Sequence, residues 1–508
     1  MKKEFKIVFI ILILFLVLLL INNFKQDNVS GNSIFDVFKN LFSQPVGAEI
    51  GKNDINEESS ALKPAPQYSF PYQIGWPIIE TIDVRTISQS INVMDLDGND
   101  RNELVLAMFG KIWAWDYKGN NLPSWPISTN MNARGISIGE LEGSMKIVFN
   151  TIEESSLSSH IHIFNYDGTE IRNEWPKQVD VNIPRSPVLE DIDNDGALEI
   201  IAGGDSKIFA WRFDGSNMPG FPIDLTTLDI GPLGYLAVGN IEGSDNQKEI
   251  IFSTMVQSGN RKRIGAVSSD GRLLNNWIPQ GVNEVGSENY PVLADLDLDG
   301  DLEILISGIS EVIAYENDGN EIFKIQTQST PGSPVISDIN DDGYLEVIAA
   351  DNFYIYVWDR YGIPLKNWPI SILNVSWTWS SVEISGPVVG NIDNDKEPEI
   401  ILNGYKADTK DWMIYAFNAD TSIVGGFPIK EENRYAPSDT PVLSDIDGDG
   451  DIEIISYAEK HIDPFFGYMK VVAYDLPTQF DKLLLTPWPM LQQNPRRTGC
   501  CAPYSSGQ

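Results

Sequence analysis

Six short stretches of the chain carry oxygen-bearing side chains at a fixed spacing, D/N-x-D/N-x-D/N-x-x-x-E. They are Asp95/Asp97/Asn99/Glu103, Asp191/Asp193/Asp195/Glu199 and Asp295/Asp297/Asp299/Glu303. The other three are Asp338/Asn340/Asp342/Glu346, Asn391/Asp393/Asp395/Glu399 and Asp445/Asp447/Asp449/Glu453. Oxygens at positions 1, 3 and 5 and a closing carboxylate at 9 suit Ca²⁺, which takes six to eight oxygen ligands. A backbone carbonyl at position 7 completes the set, from Arg101, Ala197, Asp301, Tyr344, Glu397 or Asp451. Gly196, Gly300, Gly343 and Gly450 at position 6 allow a sharp turn around the ion.

None of the six loops contains His or Cys, which disfavours zinc and copper. Magnesium holds its water shell and is less suited. An EF-hand starts in the same way but closes at position 12 between helices. The competing reading is a set of solvated acidic turns without metal. Against it, the spacing is kept in six loops while the residues between the acids vary. The expectation is about six structural Ca²⁺ ions.

Two further stretches break the rule. Gly139-Glu-Leu-Glu-Gly-Ser-Met-Lys-Ile147 is three residues short, and Gly239-Asn-Ile-Glu-Gly-Ser-Asp-Asn-Gln-Lys-Glu-Ile250 is one residue long. Lys146 and Lys248 stand near where the closing carboxylate belongs, so both turns are expected to be ion-free and held by charge pairing.

The elements around these loops repeat. Each unit has an apolar strand entering the loop, a second apolar strand, a third of the form Ile-x-Ala-aromatic leading to Asp-Gly, and an aromatic-Pro-apolar signature. The third element reads Lys111-Ile-Trp-Ala-Trp-Asp-Tyr-Lys-Gly119 in one unit and Lys207-Ile-Phe-Ala-Trp-Arg-Phe-Asp-Gly215 in another. The signature appears as Trp76-Pro77-Ile78, Trp125-Pro126-Ile127, Trp175-Pro176, Phe221-Pro222-Ile223, Trp368-Pro369-Ile370, Phe427-Pro428-Ile429 and Trp488-Pro489-Met490. The eight loops recur about every 50 residues. That period with four strands per unit predicts an all-β fold, a β-propeller of about eight four-stranded blades over residues 67–499, with seven blades as the alternative.

The formal charge of −36 excludes a nucleic-acid surface, which needs an excess of Lys and Arg. A chain this acidic and this aromatic is read as one that holds cations. Lys2, Lys3 and Lys6 precede a fifteen-residue apolar run from Ile7 to Ile21. This N-terminal hydrophobic helix, residues 1–24, reads as a signal peptide or, by preference, an uncleaved signal anchor, because no small-residue cleavage site follows closely. The propeller is then expected at the cell surface or otherwise extracytoplasmic, anchored by this segment, or secreted if cleaved. Residues 25–66 read as a flexible linker, with Ile34, Phe35, Phe38, Leu41 and Phe42 at the spacing of a short amphipathic helix. Residues 500–508 form a tail holding the only cysteines, Cys500 and Cys501, on which no function is built. Asn28 and Asn374 sit in Asn-x-Ser sequons.

The loops, the strand order and the aromatic-Pro signature resemble FG-GAP/VCBS repeat proteins, whose best-known members are the integrin alpha-chain propellers. The segment Trp488-Pro-Met-Leu-Gln-Gln-Asn-Pro-Arg-Arg-Thr-Gly499 also looks like the closing segment of microbial members. The resemblance covers roughly residues 70–499. It implies calcium between the first and second strands of a blade and ligand binding on the opposite face. The chain departs from integrins in unit count and in lacking their later modules, so adhesion is not carried over directly.

Segments leading into the inner strands hold Arg134, Arg185, Tyr290, Trp377, Trp379, Arg434 and Tyr435. Exposed aromatics with Arg on a propeller mouth would suit a protein or glycan partner; the alternative for Trp377 and Trp379 is packing. Only His160, His162 and His461 are available as imidazole bases, and no nucleotide or nucleophile-elbow motif is present. The reading is a membrane-tethered, calcium-binding propeller acting as a binding or adhesion module. The rival is a calcium-dependent polysaccharide lyase, whose mark would be a basic or metal-bearing centre on the channel axis.

Overall fold

Second strands such as Glu303–Gly308 are apolar without alternation, so both of their faces must be covered. In the computed structural model each is covered by a neighbouring blade on either side. Ile304 and Ile306 pack with Ile251 and Ala266 of the preceding blade, while Leu305 packs with Val335 and Val347 of the following one. The structure describes residues 70–499 with interruptions, the larger being 83–90, 255–262, 282–288, 372–385 and 480–489.

The described strands form eight antiparallel sheets, the eight blades of a propeller. Blade 1 runs Asn92–Met94, Glu103–Met108, Lys111–Trp115 and Ile127–Ser128 from the inside outward. Blades 2 to 7 follow in chain order, with inner strands Asn132–Leu141, Val188–Glu190, Leu233–Gly239, Val292–Ala294, Val335–Ser337 and Val388–Gly390. Blade 8 draws Val442–Ser444, Asp451–His461 and Gly467–Gln479 from the end of the chain and its outer strand, Ile78–Ile82, from the beginning. A short fifth strand, Ala436–Pro437, pairs with its second. The count of eight removes the seven-blade alternative. A 3₁₀ turn lies at Thr226–Leu228, and among the described residues no helix is long and apolar enough to cross a membrane. The apolar run, the amphipathic segment, and Cys500 and Cys501 lie outside the described residues.

The aromatic-Pro signature joins one blade to the next. Its peptide bond is cis at all six described copies. The tryptophan's indole N–H donates to a backbone carbonyl in the following blade. The pairs are Trp76 to Tyr117 (3.0 Å), Trp125 to Tyr166 (2.7 Å), Trp175 to Phe213 (2.7 Å) and Trp368 to Ala419 (2.9 Å). Trp277 makes the same bond to Asn317 (2.6 Å), although Ile278 separates it from Pro279 and hides the signature in the sequence. The Trp76 copy belongs to the outer strand of blade 8, so it links the two ends of the ring. Blades 3 and 7 carry Phe221 and Phe427 in this slot, which shows that the position accepts a ring without the N–H. Trp175→Phe is therefore expected to cost about 1–2 kcal/mol, the worth of one buried hydrogen bond. Chemical denaturation would read this as a lowered midpoint with ion binding unchanged.

The last residues reach across the ring. Arg496 O, Thr498 O and Gly499 O accept the N–H groups of Leu189 (3.1 Å), Val238 (2.9 Å) and Leu293 (2.9 Å), on the inner strands of blades 3, 4 and 5. Arg497, 1% exposed, donates its Nε to Ile136 O of blade 2 at 3.3 Å. Met490 packs among Trp76, Trp113 and Tyr457, at the junction of blades 8 and 1. The terminal segment thus lies against the axial wall of the propeller.

Candidate metal centres

Each of the six loops joins the inner strand of a blade to its second strand, and the same hydrogen bonds set its shape. The apolar residue at position 2 drops into the core, and its N–H donates to the closing glutamate. The distances are 2.8 Å for Leu96 to Glu103, 3.0 Å for Ile192 to Glu199 and 2.6 Å for Leu296 to Glu303. They are 3.0 Å for Ile339 to Glu346, 2.7 Å for Ile392 to Glu399 and 2.7 Å for Ile446 to Glu453. The position 5 side chain accepts the N–H of position 7 at 2.8–2.9 Å in all six loops, involving Arg101, Ala197, Asp301, Tyr344, Glu397 and Asp451. The position 1 aspartates accept the N–H groups that follow, as Asp191 does from Asp195 (3.1 Å) and Gly196 (2.9 Å). In blade 7 the position 1 residue is Asn391, whose amide donates to Asp395 O.

The turn needs left-handed backbone twice, at position 6 and also at position 4. Gly98, Asn194, Leu298, Asp341 and Gly448 hold position 4, with φ between 53° and 78°. Gly196, Gly300, Gly343 and Gly450 hold position 6, as glycine's lack of a Cβ favours. The two left-handed residues aim successive N–H groups inward at position 1, which leaves the remaining carboxylate oxygens facing one another.

In five loops three carboxylate oxygens lie within 4.8 Å of one another. These sets are Asp95, Asp97 and Glu103; Asp191, Asp193 and Glu199; Asp295, Asp297 and Asp299; Asp393, Asp395 and Glu399; Asp445, Asp447 and Glu453. At position 5, Asn99, Asp195, Asp342 and Asp449 lie on the exposed side of their loops. Oδ1 of each accepts the N–H two residues on at 2.9 Å, which shapes the turn and leaves that oxygen a second lone pair. Asp299 and Asp395 make the same bond and still bring an oxygen to their clusters. In blade 5 it is Glu303 that stands outside.

Blade 6 gathers no such triplet. Asp338 accepts the N–H groups of Asp342 (3.1 Å) and Gly343 (2.8 Å), and the amide of Asn340 approaches Glu346 at 3.4 Å in the third place.

The closing glutamates are all buried. One oxygen of each is satisfied by position 2, but the second oxygen of Glu199, Glu399 and Glu453 has no hydrogen-bond partner, nor has Oδ1 of Asp193. A buried, unpartnered carboxylate oxygen is costly unless something positive faces it. Burial, followed by the neighbouring aspartates, pushes Glu103 and Glu199 up to about 7. The same causes push Glu303, Glu346 and Glu399 up to about 8 and Glu453 to about 9. The donor set is all oxygen, and these residues are placed to hold a cation.

The two broken loops differ from each other. In blade 2, Glu142 and Gly143, both with positive φ, make a tight hairpin turn. Lys146 there pairs in register with Gly139, in the slot taken by the glutamate elsewhere, and its ammonium is held by Ser144. The expectation for Lys146 matches its place. Lys248 requires correction. In blade 4 the extra residue slips the register, so Glu249 takes the closing slot and accepts the N–H of Ile241 at 3.0 Å. Lys248 instead reaches Glu190 of blade 3 at 2.6 Å, where Arg496 also approaches at 3.5 Å.

Two of the proposed partner-binding residues are corrected as well. Arg185 and Tyr290 are buried, because Arg185 stacks on the Tyr235 ring at 4.5 Å and Tyr235 meets Tyr290 edge-on at 5.8 Å. They are not the exposed side chains that the sequence suggested. Arg134 is half-buried on the inner strand of blade 2, and Trp377, Trp379, Arg434 and Tyr435 lie outside the described residues. The Asp301 side chain accepts a hydrogen bond from Asn317. His162 sits between Glu170 (2.9 Å) and the fully buried Thr151 (3.0 Å). His160 is its strand neighbour, 6.2 Å away between ring centres.

The fold and its loops define a class: an eight-bladed β-propeller with carboxylate groups placed to hold cations. No family model matches the chain, and no curated protein matches it. Solved structures do resemble it. The biofilm matrix protein Bap1 of V. cholerae aligns at 13% identity over 81% of this chain and 89% of its own, with a TM-score of 0.36. The Dos1 propeller aligns at 12% identity over 79% and 95%, with a TM-score of 0.43. A catalytically inactive virginiamycin B lyase from Staphylococcus aureus, bound to quinupristin, aligns at 12% over 68% and 98%, with a TM-score of 0.37. Likenesses of this size carry no function across.

Proposed function

We propose that this chain is an FG-GAP/VCBS-type propeller, stabilised by about six Ca²⁺ ions, that acts as a membrane-tethered, extracytoplasmic binding module for a protein or glycan partner. The calcium part rests on the buried closing glutamates, whose unpartnered oxygens turn toward aspartates of the same loop. Hard oxygen donors in a flexible turn select Ca²⁺ over softer ions, and over Mg²⁺, which demands a stricter octahedron. The protein supplies the orientation: position 2 fixes the closing glutamate and position 7 fixes position 5. The ion supplies positive charge to groups that burial otherwise makes costly to ionise.

A binding role is preferred to the lyase because of what lies on the channel axis. The segment 496–499 hydrogen-bonds to the inner strands of three blades, and the buried Arg497 within it bonds Ile136 of a fourth. The membrane tether rests on the apolar run Ile7–Ile21 behind three lysines. Equilibrium dialysis against calcium, followed by a glycan and surface-protein binding screen with calcium and with chelator, tests the reading. Uptake of about six ions and a ligand captured only with calcium are expected. Uptake of none would overturn the calcium part, and turnover of a polysaccharide would favour the lyase.

A further inference from the structure

Blades 1 to 7 turn from the third to the fourth strand through one recurring bond pattern. The first residue of the turn donates its N–H four residues ahead and accepts the N–H three residues ahead. Arg212 does so with Ser216 and Gly215, and Glu316 with Asn320 and Gly319, each at 2.8–2.9 Å. Asp116, Asn165, Ser268, Asp359 and Asn418 head the same turn in their blades. Strand register carries this residue to the metal loop. Ile200 pairs with Trp211, and Ile304 with Tyr315, so the next rung sets Glu199 across from Arg212 and Glu303 across from Glu316. In blade 8 the rung itself is formed, Glu453 opposite Asp475. Cross-strand partners share a face with their Cβ atoms about 5 Å apart. The turn-head residue therefore stands beside the closing glutamate of its blade.

Its charge differs from blade to blade. Blades 1, 6 and 8 place Asp116, Asp359 and Asp475 there, blade 5 places Glu316, and blade 7 the neutral Asn418. Blade 3 places Arg212, whose Nη2 lies 2.9 Å from Asp193 Oδ2. The other oxygen of the same carboxylate, Asp193 Oδ1, and Glu199 Oε1 are buried with no partner. Arg212 thus holds a ligand from behind and carries a positive charge to the edge of the site. Blades 2 and 4, whose loops depart from the pattern, have the neutral Asn165 and Ser268 in this slot.

We propose that the turn-head residue grades the loops, so that the five that gather a carboxylate triplet take up Ca²⁺ over a range of concentrations, with blades 5 and 8 first and blade 3 last. Arg212 is the internal competitor that sets the upper end of that range. The inference rests on the calcium reading above and deepens it: the propeller changes its ion content stepwise with calcium instead of filling all at once. A unit charge a few ångströms from an ion, at the dielectric of a partly exposed site, changes affinity by about tenfold or more.

The test is a calcium isotherm on the full chain, by equilibrium dialysis with ion counting, for wild type, Arg212→Met and Glu316→Gln. In wild type one ion is expected to bind most weakly. In Arg212→Met that last step moves about tenfold tighter, and in Glu316→Gln an early step moves about tenfold weaker. Melting in saturating calcium, unchanged in both variants, establishes that each is folded. A wild-type isotherm with equal sites, or an Arg212→Met isotherm that superimposes on it, overturns the grading while leaving calcium binding intact. Uptake of no calcium removes the ion and the grading together, a different and distinguishable result.

Discussion

Stripping calcium from the protein is expected to lower its Tm by on the order of 15 °C. Each site held at a hundredfold excess over its Kd contributes about 2.7 kcal/mol, because the unfolded chain has no preformed loop to bind the ion. Six such terms act on a large domain whose unfolding entropy makes each kcal/mol worth about 1 °C. The effect also carries a pH signature. The closing glutamates are raised from 4.5 to between about 7 and about 9, first by burial and then by the adjacent aspartates. Between pH 4.5 and those values the metal-free folded chain binds more protons than the unfolded chain. Its stability therefore falls as pH rises through that window, and the contribution is gone above about 9. In chelator the protein should melt higher at pH 5.5 than at pH 8.5. In calcium the trend should flatten or reverse, since the ion binds the ionised carboxylates. A melting curve indifferent to chelator at both pH values would sink the metal reading.

A chain ending at Gln493 is expected to lose on the order of 5 kcal/mol. It would forfeit three backbone hydrogen bonds to the inner strands of blades 3, 4 and 5, and the buried Arg497 that reaches blade 2. It would also lose the approach of Arg496 to Glu190. Each bond is worth about 1 kcal/mol net, and a buried group left without its partner costs more. Arg497→Met, which keeps the backbone contacts, should show a smaller part of the loss. Thermal and urea unfolding would measure both. If the shortened chain melts within about 1 °C of the full one, the segment rests on the wall without holding it.

The repeat is readable because one residue does two jobs. Leu296 or Ile446 must be apolar to fill the core, and its N–H must meet a glutamate seven residues on, so sequence spacing and geometry coincide. Position 5 carries a second role that spacing alone does not show: Asn99, Asp342 and Asp449 also accept the N–H two residues on and so shape the turn. The signature Trp is visible as a type, but its bond to the next blade is not, because nothing local to Trp175 specifies Phe213. Glu249 is hidden by one inserted residue, and position alone makes Lys248 look like its replacement. Arg185 and Tyr290 look like a mouth because Arg and Tyr are usual there; the Tyr235 ring that buries them lies on another blade. Arg212 stands in the sequence only as part of a strand motif, because its neighbour across the rung is set by register between strands. Contacts that cross strands and blades are the ones a linear reading does not reach.

Ile78 pairs with Val471, about 390 residues later in the chain. While the chain is being synthesised, the strand Ile78–Ile82 has no mate, and the growing blades form an open arc with one bare edge. The ring is completed only when its last strands have emerged. Closing so long a loop before the contact repays the lost chain entropy makes the final step the slow one. The arc's exposed edge is therefore the stage at which folding competes with association between copies, and a faster ring closure would be protective without altering any native contact.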